Sequence, residues 1–295
     1  LWITPLNRTI SPILAFVSSL HSPVAFVFKT GKTWFEVPPT MRVNIEGELK
    51  CPCTAKDLTL KVLSVLGSKG ALGRAIEYYG DVVESLDLAG RITLASMTTE
   101  MGGIISFVPL NDEVLDFIRE RTGRSDIDPV KADTDARYIE EITIDISDLE
   151  PLIACPPNPA NVKRVREVVG TPVDSIFVGS CTNGRFEDIR LVAEVLSGKS
   201  VAGGVMFRLV PATKEVFGQM LDTGMLEVLY NAGVIVSNPG CAGCAEGQIG
   251  MTGNGEVQLS TGNRNFPGKQ GAGDTYLTSP LVCAVSALSG KITLP

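Results

Sequence analysis

The 295-residue chain has a single histidine, His21, which limits both zinc chemistry and acid–base chemistry. It has no Lys/Arg-rich block and a net charge of -7, with a pI near 4.9, so nucleic acid is not an expected partner. A small anion could still bind where the site itself carries Arg or Lys. The cysteines are few and scattered, and their number, 7, is odd. That count argues against a disulfide framework and for a reducing, cytoplasmic setting in which cysteines serve as ligands. Long uninterrupted apolar runs are also lacking. The most apolar stretch, "ISPILAFVSSLHSPVAFVF", is broken by Pro12, His21 and Pro23, so a membrane span is not expected. Arg8 ahead of a short apolar run admits a signal-peptide reading. With no acidic residue up to Phe35 and no initial Met, residues 1–35 read instead as an atypical leader, left by truncation or an altered start.

What is abundant is glycine and proline, 30 and 18 residues, beside 44% hydrophobic and 20% charged residues. Many turns separating short elements suit an α/β architecture better than a helix bundle. "TMRVNIEGELK" alternates as a strand, and "TAKDLTLKVLSVLGSKG" reads as a helix capped by Thr54, with Leu58, Val62 and Val65 on one face. "RAIEYYG" reads as a strand, residues 81–103 as a helical stretch broken at Gly90, "NDEVLDFIRERTGR" as a helix and "EITIDIS" as a strand. Four prolines at 151, 156, 157 and 159 suggest a linker, with a domain boundary near Pro151. Beyond it, "VDSIFVGS", "RFEDIRLVAEVLSG", "VMFRLVPA", "KEVFGQMLDTGMLEVLYNAG" and "VIVSNPG" alternate strand and helix, the pattern of a parallel sheet with helices on both faces.

Two of these strands run into cysteines. Cys181 follows "IFVGS", and Cys241 and Cys244 form a C-x-x-C after "VIVSNPG". Strand ends of one parallel sheet can bring such thiols to one rim. A thioredoxin-like pair at Cys241 and Cys244 would leave Cys181 unexplained. A structural zinc site would need a fourth ligand from Cys155, Cys283, Cys51 or Cys53. An iron–sulfur site needs only three if one iron is kept for substrate. In "STGNRNFPGKQG", Asn263, Arg264, Asn265 and Lys269 share one glycine-punctuated loop, and a planar Arg fork beside thiolates suits a carboxylate ligand. Three other segments read as decoys. "AEVLSGKS" lacks the first glycine of a P-loop and follows a helix, "TGNGE" reads as a hairpin turn, and "CPC" at Cys51–Cys53 reads as a plain turn.

Together "GSCTNGRFEDIR", "NPGCAGCAEG" and "TGNRNFPGKQGAGDTYLTSP" resemble signature segments of the aconitase superfamily. The resemblance extends through "GKTWFEVPPTMRVNIEGEL", "TAKDL" and "ITLASMTTEMGG", covers residues 31–295, and is greatest to the large subunits of 3-isopropylmalate dehydratase and homoaconitase. It implies two aconitase-type α/β domains with parallel or mixed sheets in α/β/α layers, at residues 36–150 and 151–295, the second carrying the cysteines. It implies a [4Fe–4S] cluster on Cys181, Cys241 and Cys244, with one iron left open as a Lewis acid. It implies Glu100 and Arg264 as catalytic residues and Asn263, Arg264, Lys269 and Arg185 as substrate-binding ones. Asn183 and Arg185 flank the first ligand. The implied reaction is dehydration and rehydration of a hydroxy di- or tricarboxylate in leucine biosynthesis, with a small subunit bearing a swivelling domain as partner. The sequence also departs from the family. Lys269 stands where relatives commonly carry arginine and Ser96 where aconitases proper have asparagine, and no match exists for the N-terminal histidines and aspartates.

Overall fold

Alternating residues make Thr40–Glu46 a strand, β1, whose Met41, Val43 and Ile45 are buried while Arg42 and Asn44 take the opposite face. The computed structural model describes residues 27–32 and 36–295, so Arg8, Pro12, His21 and Pro23 lie outside the described residues. No helix among those described is long and apolar enough to cross a membrane. Strand β1 pairs in parallel with β2 (Ala75–Tyr79) and β4 (Glu140–Asp145), and β3 (Ile105–Phe107) lies beyond β2. The buried side chains of this four-stranded sheet pack with α1 (Ala55–Leu66), α2 (Asp81–Glu84) and α3 (Leu88–Ser96) through Leu58, Leu63, Val83 and Leu94. A surface helix, α4 (Asp112–Thr122), is capped by Asn111.

A second, seven-stranded sheet has the order β6-β5-β11-β10-β7-β8-β9. Its parallel part joins β7 (Ser175–Gly179), β8 (Met206–Val210), β9 (Ile235–Val236), β10 (Val257–Ser260) and β11 (Asp274–Thr278). On the β11 side, β5 (Leu152–Ala154) and β6 (Val162–Arg164) add antiparallel. The chain is therefore α/β, with one parallel and one mixed sheet. Strand β7 is buried along its whole length because both faces are covered. Ile176 and Val178 share a core with α6 (Phe186–Leu196), α8 (Met225–Asn231) and α9 (Pro280–Ser289). Phe177 points the other way, under the loop that carries Cys241 and Cys244. The short α5 (Ser180–Asn183) and α7 (Lys214–Asp222) complete the helices after β7 and β8.

Several local expectations are corrected. The break in residues 81–103 does not fall at Gly90. Asp87 Oδ1 accepts the Gly90 N–H at 2.7 Å, which starts α3 and leaves Gly90 inside it. Residues 214–233 are helical as expected, in two helices, because Gly224 adopts φ 71° between α7 and α8. Val65 lies off the buried stripe of α1, at 48% exposure. "TGNGE" is a turn, closed by the Gly253 N–H on Glu256 Oε2, but not a hairpin, since the following β10 pairs in parallel with both neighbours. The proline-rich stretch after Pro151 carries the antiparallel pair β5–β6.

The two sheets are joined at the start of α1. Thr54 and Asp57 form a capping box, with the Thr54 N–H on Asp57 Oδ2 at 2.8 Å. The other carboxylate oxygen accepts the Leu152 N–H of β5, also at 2.8 Å. Burial pushes the Asp57 carboxyl up to about 6, and its hydrogen bonds only partly offset that. Asp57→Ala removes a cap and leaves a buried N–H unpaired, so it is expected to destabilise the chain by about 1–3 kcal/mol, read as a lower urea midpoint.

Candidate functional site

Strand β7 ends in a tight approach to β8. A Cβ on Gly179 would meet Val210 O at 2.4 Å, and the glycine's φ of 151° is itself unfavourable for other residues. Ser180 follows with φ 71°, a left-handed conformation that turns the chain sharply into α5 and leaves Cys181 exposed. The turn is tied down from behind. Arg185 Nη2 donates to Cys181 O at 3.2 Å, and Asn183 Nδ2 donates to Thr93 Oγ1 at 3.1 Å. Asp188 accepts the Arg185 N–H at 3.2 Å, and burial pushes its carboxyl up to about 7.

The loop after β9 holds the other two thiols. Gly243 and Gly250 lie against the Phe177 ring, where an added Cβ would stand 3.0 Å away, so the loop lies flat on the sheet. Ala242, at φ 59°, turns the chain between the cysteines. Gln248 Oε1 accepts the N–H groups of Cys244 and Ala245, and Lys269 Nζ donates to Cys244 O at 2.9 Å. Partial burial and the neighbouring Cys244 thiol raise the Cys241 thiol, opposed by the Lys269 charge.

The loop after β10 faces the Cys181 turn. Asn263 Nδ2 donates to Thr182 Oγ1 at 3.0 Å and to Ser96 Oγ at 3.4 Å. Arg264 Nε meets Glu100 Oε1 at 2.6 Å, with Nη2 on Thr99 Oγ1 at 3.4 Å. Glu100 is 5% exposed and Arg264 41%, so the carboxylate is buried while the guanidinium reaches outward. Arg264 Nη1 and Glu100 Oε2 have no hydrogen-bond partner among the described residues. Asn265 points inward instead, donating to Ala154 O and Thr275 O.

Of the residues expected in the site, the structure brings together Glu100 with Arg264, Asn263 with the Cys181 turn, Arg185 with Cys181, and Lys269 with the Cys241–Cys244 loop. Cys241 and Cys244 are neighbours, whereas Cys181 stands apart. Among the described residues no three His, Cys, Asp or Glu side chains gather closely enough to hold a metal ion. The donor set nonetheless fits an iron–sulfur group in kind. It comprises three thiols at least partly open to solvent, on loops that leave the same edge of the parallel strands, and no histidine occurs among the described residues. Cys155 and Cys283 are buried.

Sequence reasoning missed Lys56. It is fully buried, and its Nζ donates to Gly262 O at 2.8 Å, Thr261 O at 3.1 Å and Asn263 Oδ1 at 3.2 Å. Burial lowers its ammonium to about 8. The available signal was helical phase, because Lys56 falls on the same buried stripe as Leu60 and Leu63.

The aconitase family (aconitate hydratase) matches residues 21–174 and 163–290. The chain belongs to the aconitase family. It is 45% identical over 284 residues to 3-isopropylmalate dehydratase large subunit 1 of Methanopyrus kandleri, covering 95% of this chain and 68% of that protein. It is 43% identical to a probable methanogen homoaconitase large subunit of Methanothermobacter thermautotrophicus, over 92% of this chain and 64% of the relative. A probable 3-isopropylmalate dehydratase large subunit of the same organism is 42% identical, over 95% and 68%. The likeness to these large subunits, expected from the motifs, is borne out. The chain spans about two thirds of the length of these relatives.

The buried acids give a pH dependence with a definite sign. Folding raises Asp57 and Asp188 to about 6 and about 7, from ordinary values near 3.8. Between those limits the folded chain holds protons that the unfolded chain has released. Their contribution to stability is therefore full below about pH 4 and lost as pH rises through 6 and 7. The urea midpoint is expected to fall between pH 5 and pH 8 on account of these groups, and to fall less in Asp188→Asn.

Proposed function

We propose that the chain is the large-subunit component of an iron–sulfur hydro-lyase that dehydrates and rehydrates a hydroxy di- or tricarboxylate. The substrate assigned is 3-isopropylmalate, as in leucine biosynthesis, with homoaconitate or 2,3-dimethylmalate as the alternatives. The observation that carries the reading is the meeting of a cationic loop with the Cys181 turn, through Asn263 on Thr182, while Arg264 keeps one nitrogen unpaired among the described residues. Residues 36–150 and 151–295 are read as two aconitase-type units, working in the cytoplasm with a small subunit that brings the swivelling domain.

In this reading Cys181, Cys241 and Cys244 hold a [4Fe–4S] cluster, which when bound supplies a Lewis-acidic iron for the substrate hydroxyl and carboxylate. Arg264 takes a substrate carboxylate through Nη1, with its guanidinium plane held by Glu100 and Thr99. Glu100 Oε2, which has no hydrogen-bond partner among the described residues, is the atom that holds or moves the substrate proton. Lys269 keeps two N–H groups beyond the one spent on Cys244 O, and Arg185 adds positive charge on the opposite loop. Asn263 holds the Cys181 turn at a fixed distance from the arginine beside it.

Anaerobic reconstitution with ferrous iron and sulfide is expected to give the broad visible absorption of a [4Fe–4S] species. Serine at 181, 241 or 244 is expected to weaken it, whereas alanine at 155 or 283 leaves it intact. Tight binding of one zinc and no iron by the same cysteines would remove the main support for a hydro-lyase.

Arg264→Lys keeps the charge and loses the fork. Losing one charge-assisted hydrogen bond costs about 1.5–3 kcal/mol, or about ten- to a hundredfold in kcat/KM, measured with the small subunit supplied. The visible spectrum is expected to be unchanged, because no ligand has been altered. A kinetically silent Arg264→Lys would mean the carboxylate is held from elsewhere.

A further inference from the structure

Lys56 carries a charge into a place where packing alone would favour an apolar chain. It sits in the first turn of α1, beneath the other sheet, and among the described residues no carboxylate is within ion-pairing distance. Its three N–H groups face four acceptors: Gly262 O, Thr261 O and Asn263 Oδ1, and the Met97 sulfur at 3.5 Å. A buried ammonium without a direct ion pair is costly, and the charges of Asp188, Glu100 and Asp57 offset that only in part. The three oxygens all lie in the loop that faces the Cys181 turn, whereas Met97 ends α3.

The chemistry of the pair fixes a direction. An ammonium only donates, so the oxygen end of the Asn263 amide must face Lys56. The amide nitrogen is thereby turned toward Thr182 Oγ1, 3.0 Å away, in the residue next to Cys181. An amide rotated by half a turn would set Nδ2 against the ammonium and Oδ1 against Thr182, losing the bond to Lys56. A second tie runs in parallel, since Thr261 Oγ1 accepts the Gly179 N–H at 3.0 Å just before the turn.

We propose that Lys56 is the positioning residue of the Cys181 turn: its ammonium fixes which end of the Asn263 amide faces Thr182, and so holds the backbone that presents Cys181. The significance of that placement rests on reading Cys181 as a cluster ligand; the placement itself belongs to the metal-free chain. Lys56 acts on the Cys181 turn through Asn263, which stands between the ammonium and Thr182.

The test uses the metal-free 295-residue chain. With 15N-labelled lysine, the unaltered chain is expected to show one slowly exchanging ammonium signal that disappears in Lys56→Met. Absence of any protected ammonium signal would overturn the proposal. Hydrogen exchange at residues 180–184 is expected to be about tenfold faster in Lys56→Met and Lys56→Gln, as for the loss of one charge-assisted hydrogen bond. In an Asn263→Ala background the same substitutions are expected to add nothing at 180–184, although they still lower the urea midpoint. Additive effects at 180–184 would show Lys56 to be merely structural. Should both lysine variants fail to fold, Asn263→Ala alone decides, since it removes no buried charge. Unchanged exchange at 180–184 in that variant sinks the proposal. Iron reconstitution is a separate arm: a chain that takes up no iron yet shows this coupling keeps the inference and loses the cluster reading.

Discussion

Strands β7 and β10 lie side by side and parallel, yet the chain reaches β10 only after laying down β8 and β9 on the far side of β7. This reversal of direction opens a crevice at the carboxyl ends of the strands, because the connections after β7 and β10 leave toward opposite sides. Cys181 leaves from one lip and Asn263 and Arg264 from the other. The remaining features follow from having to fill that crevice. Gly179 permits the close approach to β8, Phe177 supports the C-x-x-C loop, and α3 brings Ser96 and the turn bearing Glu100 up from the first sheet.

The electrostatics of the crevice differ from those of the whole molecule. The chain carries a net charge of -7, but the cations around the cysteines bond mainly to neutral carbonyl oxygens. Lys56 uses Thr261 and Gly262, Arg185 uses Cys181, and Lys269 uses Cys244. A carbonyl orients a cation without cancelling its charge, so these groups leave a locally positive field for an anion. Arg264 is the exception, and its partner Glu100 is buried while the guanidinium stays accessible. The carboxylate there fixes the plane of the arginine and leaves one edge of the fork open.

Periodicity made much of the fold legible. The strand at Thr40–Glu46, the Thr54-capped helix and the buried run of β7 are where local pattern placed them, because each buries a face whose spacing is set by its own backbone geometry. Features that depend on distant partners were not legible. Gly90 suggested a break because glycine weakens helices, but Asp87 three residues earlier caps there and outweighs that cost. The pair β5–β6 was hidden by prolines that flank short strands at a sheet edge. The motifs named the three cysteines and Arg264, yet not that Cys181 stands apart from the other two, nor that Glu100 and Arg264 pair. Helical phase places Lys56 on the buried stripe of α1, but its partners, about two hundred positions away, are not legible from neighbouring residues.

The bonds from the start of α1 have a consequence for the order in which the molecule can be made. As the chain leaves the ribosome, Lys56 and Asp57 emerge well before their partners at Leu152 and Thr261–Asn263. Until those residues appear, one acid and one base stand on what will become an interior face, alongside apolar residues that later meet Leu152, Ala154 and Leu277. In a nascent chain these two charges keep water at a surface that would otherwise be free to associate with other chains. The groups that are expensive to bury at the end of folding protect the unfinished half at its beginning.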